Sequence, residues 1–331
     1  MRWLADRYAQ RAVSVAERLG EESTKARVFE LTAMYLLGEG RWQITEERFE
    51  QAIDGFKLVG DRRREIECTC LLSTFQHYRG NFVERVRLGQ RVFQLAQASG
   101  DLQAQAWGLL DQIESLLHLG DFDQVETLGA ALRSHLGQNI YGADEIMAYG
   151  LLAALELRVG RFDGAVGYAD KALAVMMAVT PTLVYNLEAY AAVADVYLTG
   201  CTLAPTGARN DFAVKAKQAG ASLRGFARVF RVARPRSKLI SAREKQLAGD
   251  VEAALRESRE SLQLAKQLSM PYEQALAHRQ IAALLPQRDS RRSNELEHAL
   301  QLFERLSTRY DLGLTAALKA GISPAVTAES N

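Results

Sequence analysis

Residues 40–82 read GRWQITEERFEQAIDGFKLVGDRRREIECTCLLSTFQHYRGNF. Gly40 and Gly80 stand 40 residues apart, each followed two positions on by an aromatic residue, Trp42 and Phe82. Midway lies Gly60, followed by an acid, Asp61. Both series extend outward. Gly120, Gly160 and Gly200 continue the first, with Phe122 and Phe162 after two of them, and Gly20 and Gly100 continue the second, followed by Glu21 and Asp101. Self-similarity at a fixed period marks an array in which each repeat is one supersecondary unit. The unit here is two segments of similar length, each ending at a glycine.

The segments are predicted to be helices. No proline precedes Pro181, and the stretches between glycines are rich in Ala, Leu, Glu, Gln and Arg, which favour helix over strand. After Gly249, Val251, Ala254, Leu255, Leu262 and Ala265 share one helical face, with Arg256, Glu257, Arg259 and Glu260 turned away. Glycine fits where a helix stops and the chain reverses. Each 40-residue unit therefore reads as a helical hairpin. First helices are expected near 24–38, 64–79, 104–118, 145–159, 184–199, 235–248 and 272–285. Second helices are expected near 44–59, 84–98, 124–137, 164–178, 211–230, 251–268 and 293–308. A single hairpin cannot bury its own apolar face, so neighbours must stack. The predicted fold is all-α, a right-handed superhelix of stacked antiparallel hairpins with a concave and a convex surface.

Composition agrees with a folded array. The 331 residues hold 41 Lys+Arg against 40 Asp+Glu and are 48% hydrophobic, too apolar for disorder and too balanced for a general polyanion binder. The opening MRWLADRYAQR is charged throughout, so no export signal is expected. The longest uncharged stretch, 172–187, is broken by Pro181 and Asn186 and is shorter than the roughly 20 residues of a bilayer span, so no membrane helix is expected. Three cysteines without framework spacing suit a reducing, cytoplasmic setting.

Five divisions follow from the period: a half-repeat or capping helix over 1–20, regular repeats over 21–200, an irregular basic repeat over 201–245, C-terminal repeats over 246–312, and a helix end with a frayed tail over 313–331. The helix from Trp3 to Leu19 stands in the second-helix position without a first, leaving Trp3, Leu4 and Tyr8 without a stacking neighbour. It is expected to cap the array or to pair two chains. Residues Cys201 to Asn210 (CTLAPTGARN) read as a loop where the period slips.

The turn Gly160-Arg161-Phe162 with Ala165 resembles that of the tetratricopeptide repeat, although the 40-residue period is longer and leaves HEAT-like pairing open. A wider resemblance covers most of the chain. GDRRREIEC (60–68), GDLQAQAWGLL (100–110), YNLEAYAAVADVYL (185–198), FARVFRVARPRSKL (226–239), MPYEQALAHRQIA (270–282) and LFERLSTRYDL (302–312) resemble the C-terminal helical region of bacterial adenylate/guanylate cyclase proteins that carry a regulatory ATPase module. The resemblance implies the regulatory arm of such a system. No G-x-x-x-x-G-K-[ST] phosphate loop or alternating strand–helix pattern accompanies it.

Catalysis is not expected, and neither is a cofactor or a metal. His77, His118, His135, His278 and His298 form no H-E-x-x-H motif and no pair three or four apart. Cys68 and Cys70 point about 200° apart on a helix. The acid pairs Glu21-Glu22 and Glu46-Glu47 fall at helix starts, where carboxylates complement the dipole. With Gly120 taken as a tetratricopeptide-type turn, the groove-facing positions are Trp107, Leu110, Glu114, Leu117 and His118. The same offset gives Glu67, Cys70, Thr74, His77 and Tyr78 before them, then Met147, Gly150, Ala154, Leu157 and Arg158, then Leu187, Tyr190, Ala194, Tyr197 and Leu198. Glu67, His77, Tyr78, Trp107, Glu114, His118, Arg158 and Tyr190 are the candidate binding residues, in a groove for a protein or peptide. The alternatives are that the aromatics pack between helices, or that the groove senses a small molecule.

Between Arg209 and Lys245, eleven bases face two acids, a local charge of +9 that leaves −8 for the rest. Arg224, Arg228, Arg231, Arg234, Arg236 and Lys238 form a candidate contact for an acidic partner. Phe212, Phe226 and Phe230 are spaced for a core face, so nucleic-acid stacking is not expected.

Overall fold

The computed structural model describes residues 2–138 and 140–322. Among them run α1 (Arg2–Leu19), α2 (Glu22–Glu39), α3 (Trp42–Val59), α4 (Arg62–Arg79), α5 (Phe82–Ser99), α6 (Leu102–Leu119), α7 (Phe122–His135) and α8 (Ala143–Arg158). Then follow α9 (Phe162–Ala178), α10 (Leu187–Leu203), α11 (Arg209–Val229), α12 (Arg234–Leu247), α13 (Val251–Gln267), α14 (Pro271–Leu284), α15 (Ser290–Arg305) and α16 (Arg309–Lys319). Successive helices pack on one another as stacked hairpins, and the fold is an all-α solenoid. None of these helices is long and apolar enough to cross a membrane.

The 20-residue half-period has a simple origin. Helices α2 to α6 each hold 18 residues and stop at a glycine whose φ lies at 70–80°. That left-handed conformation lets its N–H and the next one return to the last carbonyls. One more residue completes the link. Where it is Asp61, Asp101 or Asp121, its carboxylate accepts from the backbone N–H of Arg64, Ala104 or Gln124 and caps the next helix.

Even-numbered helices form the inner row and odd-numbered ones the outer row. Phe49, Ala52 and Phe56 of α3, or Val92 and Ala96 of α5, fill the space between rows. The superhelix winds tightly enough for its second turn to rest on its first. The Trp42 Nε1–H donates to the Leu268 carbonyl, Arg79 donates to the Ser269 carbonyl at 2.8 Å, and Arg309 donates to the Leu119 carbonyl at 2.8 Å. Gly80 is needed twice over: its φ is +80°, and a Cβ there would lie 2.5 Å from Leu306 and 3.2 Å from Pro271.

The structure differs from the expected period after residue 180. Gly200 ends no helix; it lies inside α10, with the Phe212 ring where a Cβ would be. Helix thus covers Cys201 to Leu203, α11 opens at Arg209, and the loop between them is shorter than the sequence suggested. A single 3-10 turn over Val184–Asn186 delays the start of α10 and rotates its face. A further inner helix, α16, occupies 309–319, across the expected division at 312–313. Residues 323–331 of the expected frayed tail lie outside the described residues.

Candidate functional site

Because the solenoid closes on itself, its concave surface is the wall of a narrow lumen. Two chambers open there, with a band of buried charge between them.

The first, an aromatic chamber of about 240 Å³, is walled by Leu31 and Met34 of α2, Cys70, Leu71 and Thr74 of α4, Trp107 and Leu110 of α6, Met147 of α8, and Leu183 and Tyr185 beyond α9. Arg27, Glu30, Arg64 and Glu67 also line it. Two of its rings are fixed by one carboxylate, Asp144, which accepts from Trp107 Nε1 at 3.0 Å and from the Tyr185 hydroxyl at 2.6 Å. Arg63 lies over the Trp107 ring, 4.7 Å from its centroid. Asp111 also lines the chamber, and one of its carboxylate oxygens takes a 2.9 Å bond from Arg85.

The second chamber, about 260 Å³, lies among α6, α8, α10, α12, α14 and α16. Its wall alternates Leu117, Leu157, Ile240 and Leu276 with Arg158, Arg236, Arg243, Arg279, Asp195 and Asp311. The charges are matched in place: Arg279 pairs with Asp311 at 2.7 Å, and Arg243 with Asp195. Arg158 donates to the Leu117 carbonyl and lies 5.0 Å from the Tyr310 ring centroid.

Between the chambers, Arg85 reaches Asp111 at 2.9 Å and Glu114 at 2.5 Å, while Arg236 forks onto Glu188 at 2.8 Å and Glu273 at 2.7 Å. His77 Nε2 lies 3.4 Å from Glu114 and 3.6 Å from Glu188, and His118 Nε2 lies 3.8 Å from Glu188. All eight side chains are buried. Phe82 stacks on His118 with centroids 4.5 Å apart, and Tyr272 meets the same ring edge-on at 4.5 Å.

Burial is the largest influence on the titration of these groups, and among Asp111, Glu114, Glu188 and His118 it is outweighed only at Glu188. Burial raises the Asp111 and Glu114 carboxyls above their ordinary values, with Arg85 opposing it only in part. Burial acts the same way on Glu188, but Arg236 with His118 and His77 outweighs it and holds that carboxyl well below the usual range. Burial pushes His118 well below its ordinary value, so its imidazole is neutral near pH 7.

On three helices the inner-face offset falls on residues that face the lumen. Positions on α4, α6 and α8 line the chambers or the band, including Glu67, His77, Trp107, Glu114, His118 and Arg158. They do not form an open peptide groove. Tyr78 is core, its hydroxyl donating to the Val184 carbonyl at 2.6 Å, and His77, Glu114 and His118 are sealed between helices. On α10 the offset fails: Tyr190 packs against Phe226 with centroids 4.7 Å apart, and Glu188 takes the lumen position.

The basic segment is not one contact face. Arg236 is buried in the band. Arg224 pairs with Glu244 at 2.9 Å, and Lys238 pairs with Glu257 and Glu260 at 3.0 and 2.7 Å. Arg228 is exposed, whereas Arg231 and Arg234 are half-buried. Acids distant in sequence therefore neutralise much of the +9. At the other end, Trp3 and Tyr8 of α1 are 68% and 63% exposed.

Sequence reasoning missed Arg85, Asp111, Glu188 and Glu273. Arg85 carried a signal, because it falls in register with Phe82, Leu88, Val92 and Ala96 on the buried face of α5. Spacing along one helix shows no histidine pair, and it cannot show one drawn from two helices. His77, His118 and Glu188 each bring one donor atom, all within 4.8 Å of one another. No protein-family model and no curated protein matches the chain.

Proposed function

We propose that this chain is a non-catalytic binding module whose ligand is a small, largely apolar molecule held in the aromatic chamber. The observation that carries this reading is the chamber itself. Its walls are side chains of four inner helices and the adjoining loop, and its two ring systems are oriented by Asp144. A concave apolar site with a few placed polar groups is the common form of a small-molecule pocket. The volume of about 240 Å³ suits a compact molecule better than a peptide helix. The resemblance to the helical region of cyclase and ATPase proteins gives the module a role as their sensing arm, with occupancy passed on through the inner helices.

The test is a small-molecule library scored by ligand-observed NMR and thermal shift, on the natural chain and on Cys70→Phe, which fills the chamber from α4. Compounds that bind the natural chain and are lost from C70F support the reading. Hits that bind both equally, or a library with no hits, contradict it.

A further inference from the structure

We propose that His77, His118 and Glu188 form a binding site for a divalent transition-metal ion, which ties α4, α6 and α10 together across the lumen. The inference is independent of the aromatic chamber.

Three side chains from three helices converge there, and each is more than nine-tenths buried. Buried imidazoles ordinarily find hydrogen-bond partners. Among the described residues neither Nδ1 atom has a hydrogen-bond partner, and carboxylate oxygens of Glu114 and Glu188 lie on the Nε2 side. The contacts of 3.4, 3.6 and 3.8 Å are longer than hydrogen bonds. His77 Nε2 and His118 Nε2 approach the two oxygens of Glu188 at 3.6 and 3.8 Å, and one donor atom from each of the three residues lies within 4.8 Å of the others. Donors around a tetrahedral ion with bonds of about 2.0–2.2 Å stand roughly 3.3–3.6 Å apart, so small side-chain movements bring the three onto one ion.

Charge points the same way. Asp111, Glu114, Glu188 and Glu273 face only two guanidiniums, Arg85 and Arg236. Counting Arg158, Arg279 and Asp311 beyond them still leaves one more negative than positive group. A divalent cation at the histidines offsets that excess. Arg236, forked onto both oxygens of Glu188, fixes the orientation of the carboxylate, the usual task of groups behind a metal ligand. Imidazole donors select zinc, cobalt, nickel or ferrous iron over magnesium and calcium. His118, Glu188 and Glu114 line the second chamber, which gives an ion its route in.

The experiment is zinc loading of the full chain, desalting, and elemental analysis, with cobalt as spectroscopic probe. The expected result is one zinc per chain, a raised melting temperature, and a cobalt complex with visible d–d bands but no thiolate charge-transfer band. His118→Gln and His77→Gln should lose the ion, while His298→Gln, altering the neighbour of His278 and Glu295, should keep it. No retained metal in the natural chain, or retention lost only in H298Q, overturns the proposal. If the lumen variants do not fold, 15N-histidine spectra of the natural chain decide. Zinc must shift two of the five histidines, and a shift confined to His278 and His298, or none, is equally fatal.

Discussion

Arg236 donates to both oxygens of Glu188 and both of Glu273 from a position with almost no exposure, so truncating it strands two carboxylates at once. Breaking a buried pair by removing one partner costs about 3–5 kcal/mol, because the remaining charge keeps its desolvation penalty. Arg236→Met should therefore lower stability by about that amount, read from the urea midpoint. Arg228→Met, at an exposed position of the same basic stretch, should stay within about 0.5 kcal/mol. Equal effects would mean that Arg236 is as solvated as its sequence neighbours. Nothing local in the sequence separates these two arginines, because the acids that bury Arg236 lie 48 and 37 residues away. Arg85 was legible, as a charge in the apolar register of α5.

Element boundaries were largely readable, because each depends on neighbours in sequence. A glycine with positive φ ends a helix, and a following aspartate caps the next, so α2 to α6 lie where the 40-residue period put them. The reading failed at α10, where the 3-10 turn at 184–186 and the helical Gly200 come from packing against Phe212 and the loop, which no local rule reports. Glycines inside helices separate the same two influences. Gly167 of α9 has open space where a Cβ would project, so Gly167→Ala should stabilise by about 0.5–1 kcal/mol through helix propensity. Gly108 of α6 faces backbone: a Cβ there would lie 2.7 Å from the Phe93 nitrogen and 2.8 Å from the Gly89 carbonyl oxygen. Gly108→Ala should instead cost about 1–3 kcal/mol by forcing α5 and α6 apart. Thermal melts of both variants check the pair, and a stabilised G108A would show that the two helices are not in that contact.

For the whole molecule, the period predicts a solenoid but not its pitch. Small rotations between hairpins add up over the array, and they decide whether the concave face is an open groove or a closed lumen. Here they close it: residues 42 and 268, and 79 and 269, meet across a full superhelical turn. There is no open groove for that reason, although several of the inner-face positions line the lumen. The second chamber and the charged band draw residues from both turns and depend on this closure. The direct check is to place a bimane fluorophore on Ser269→Cys, in a background with Cys68, Cys70 and Cys201 changed to alanine, with and without Trp42→Phe. Tryptophan quenches bimane only at close range. A closed lumen requires dim bimane with Trp42 present and bright bimane in W42F, whereas equal brightness in the two would mean that the second turn does not rest on the first.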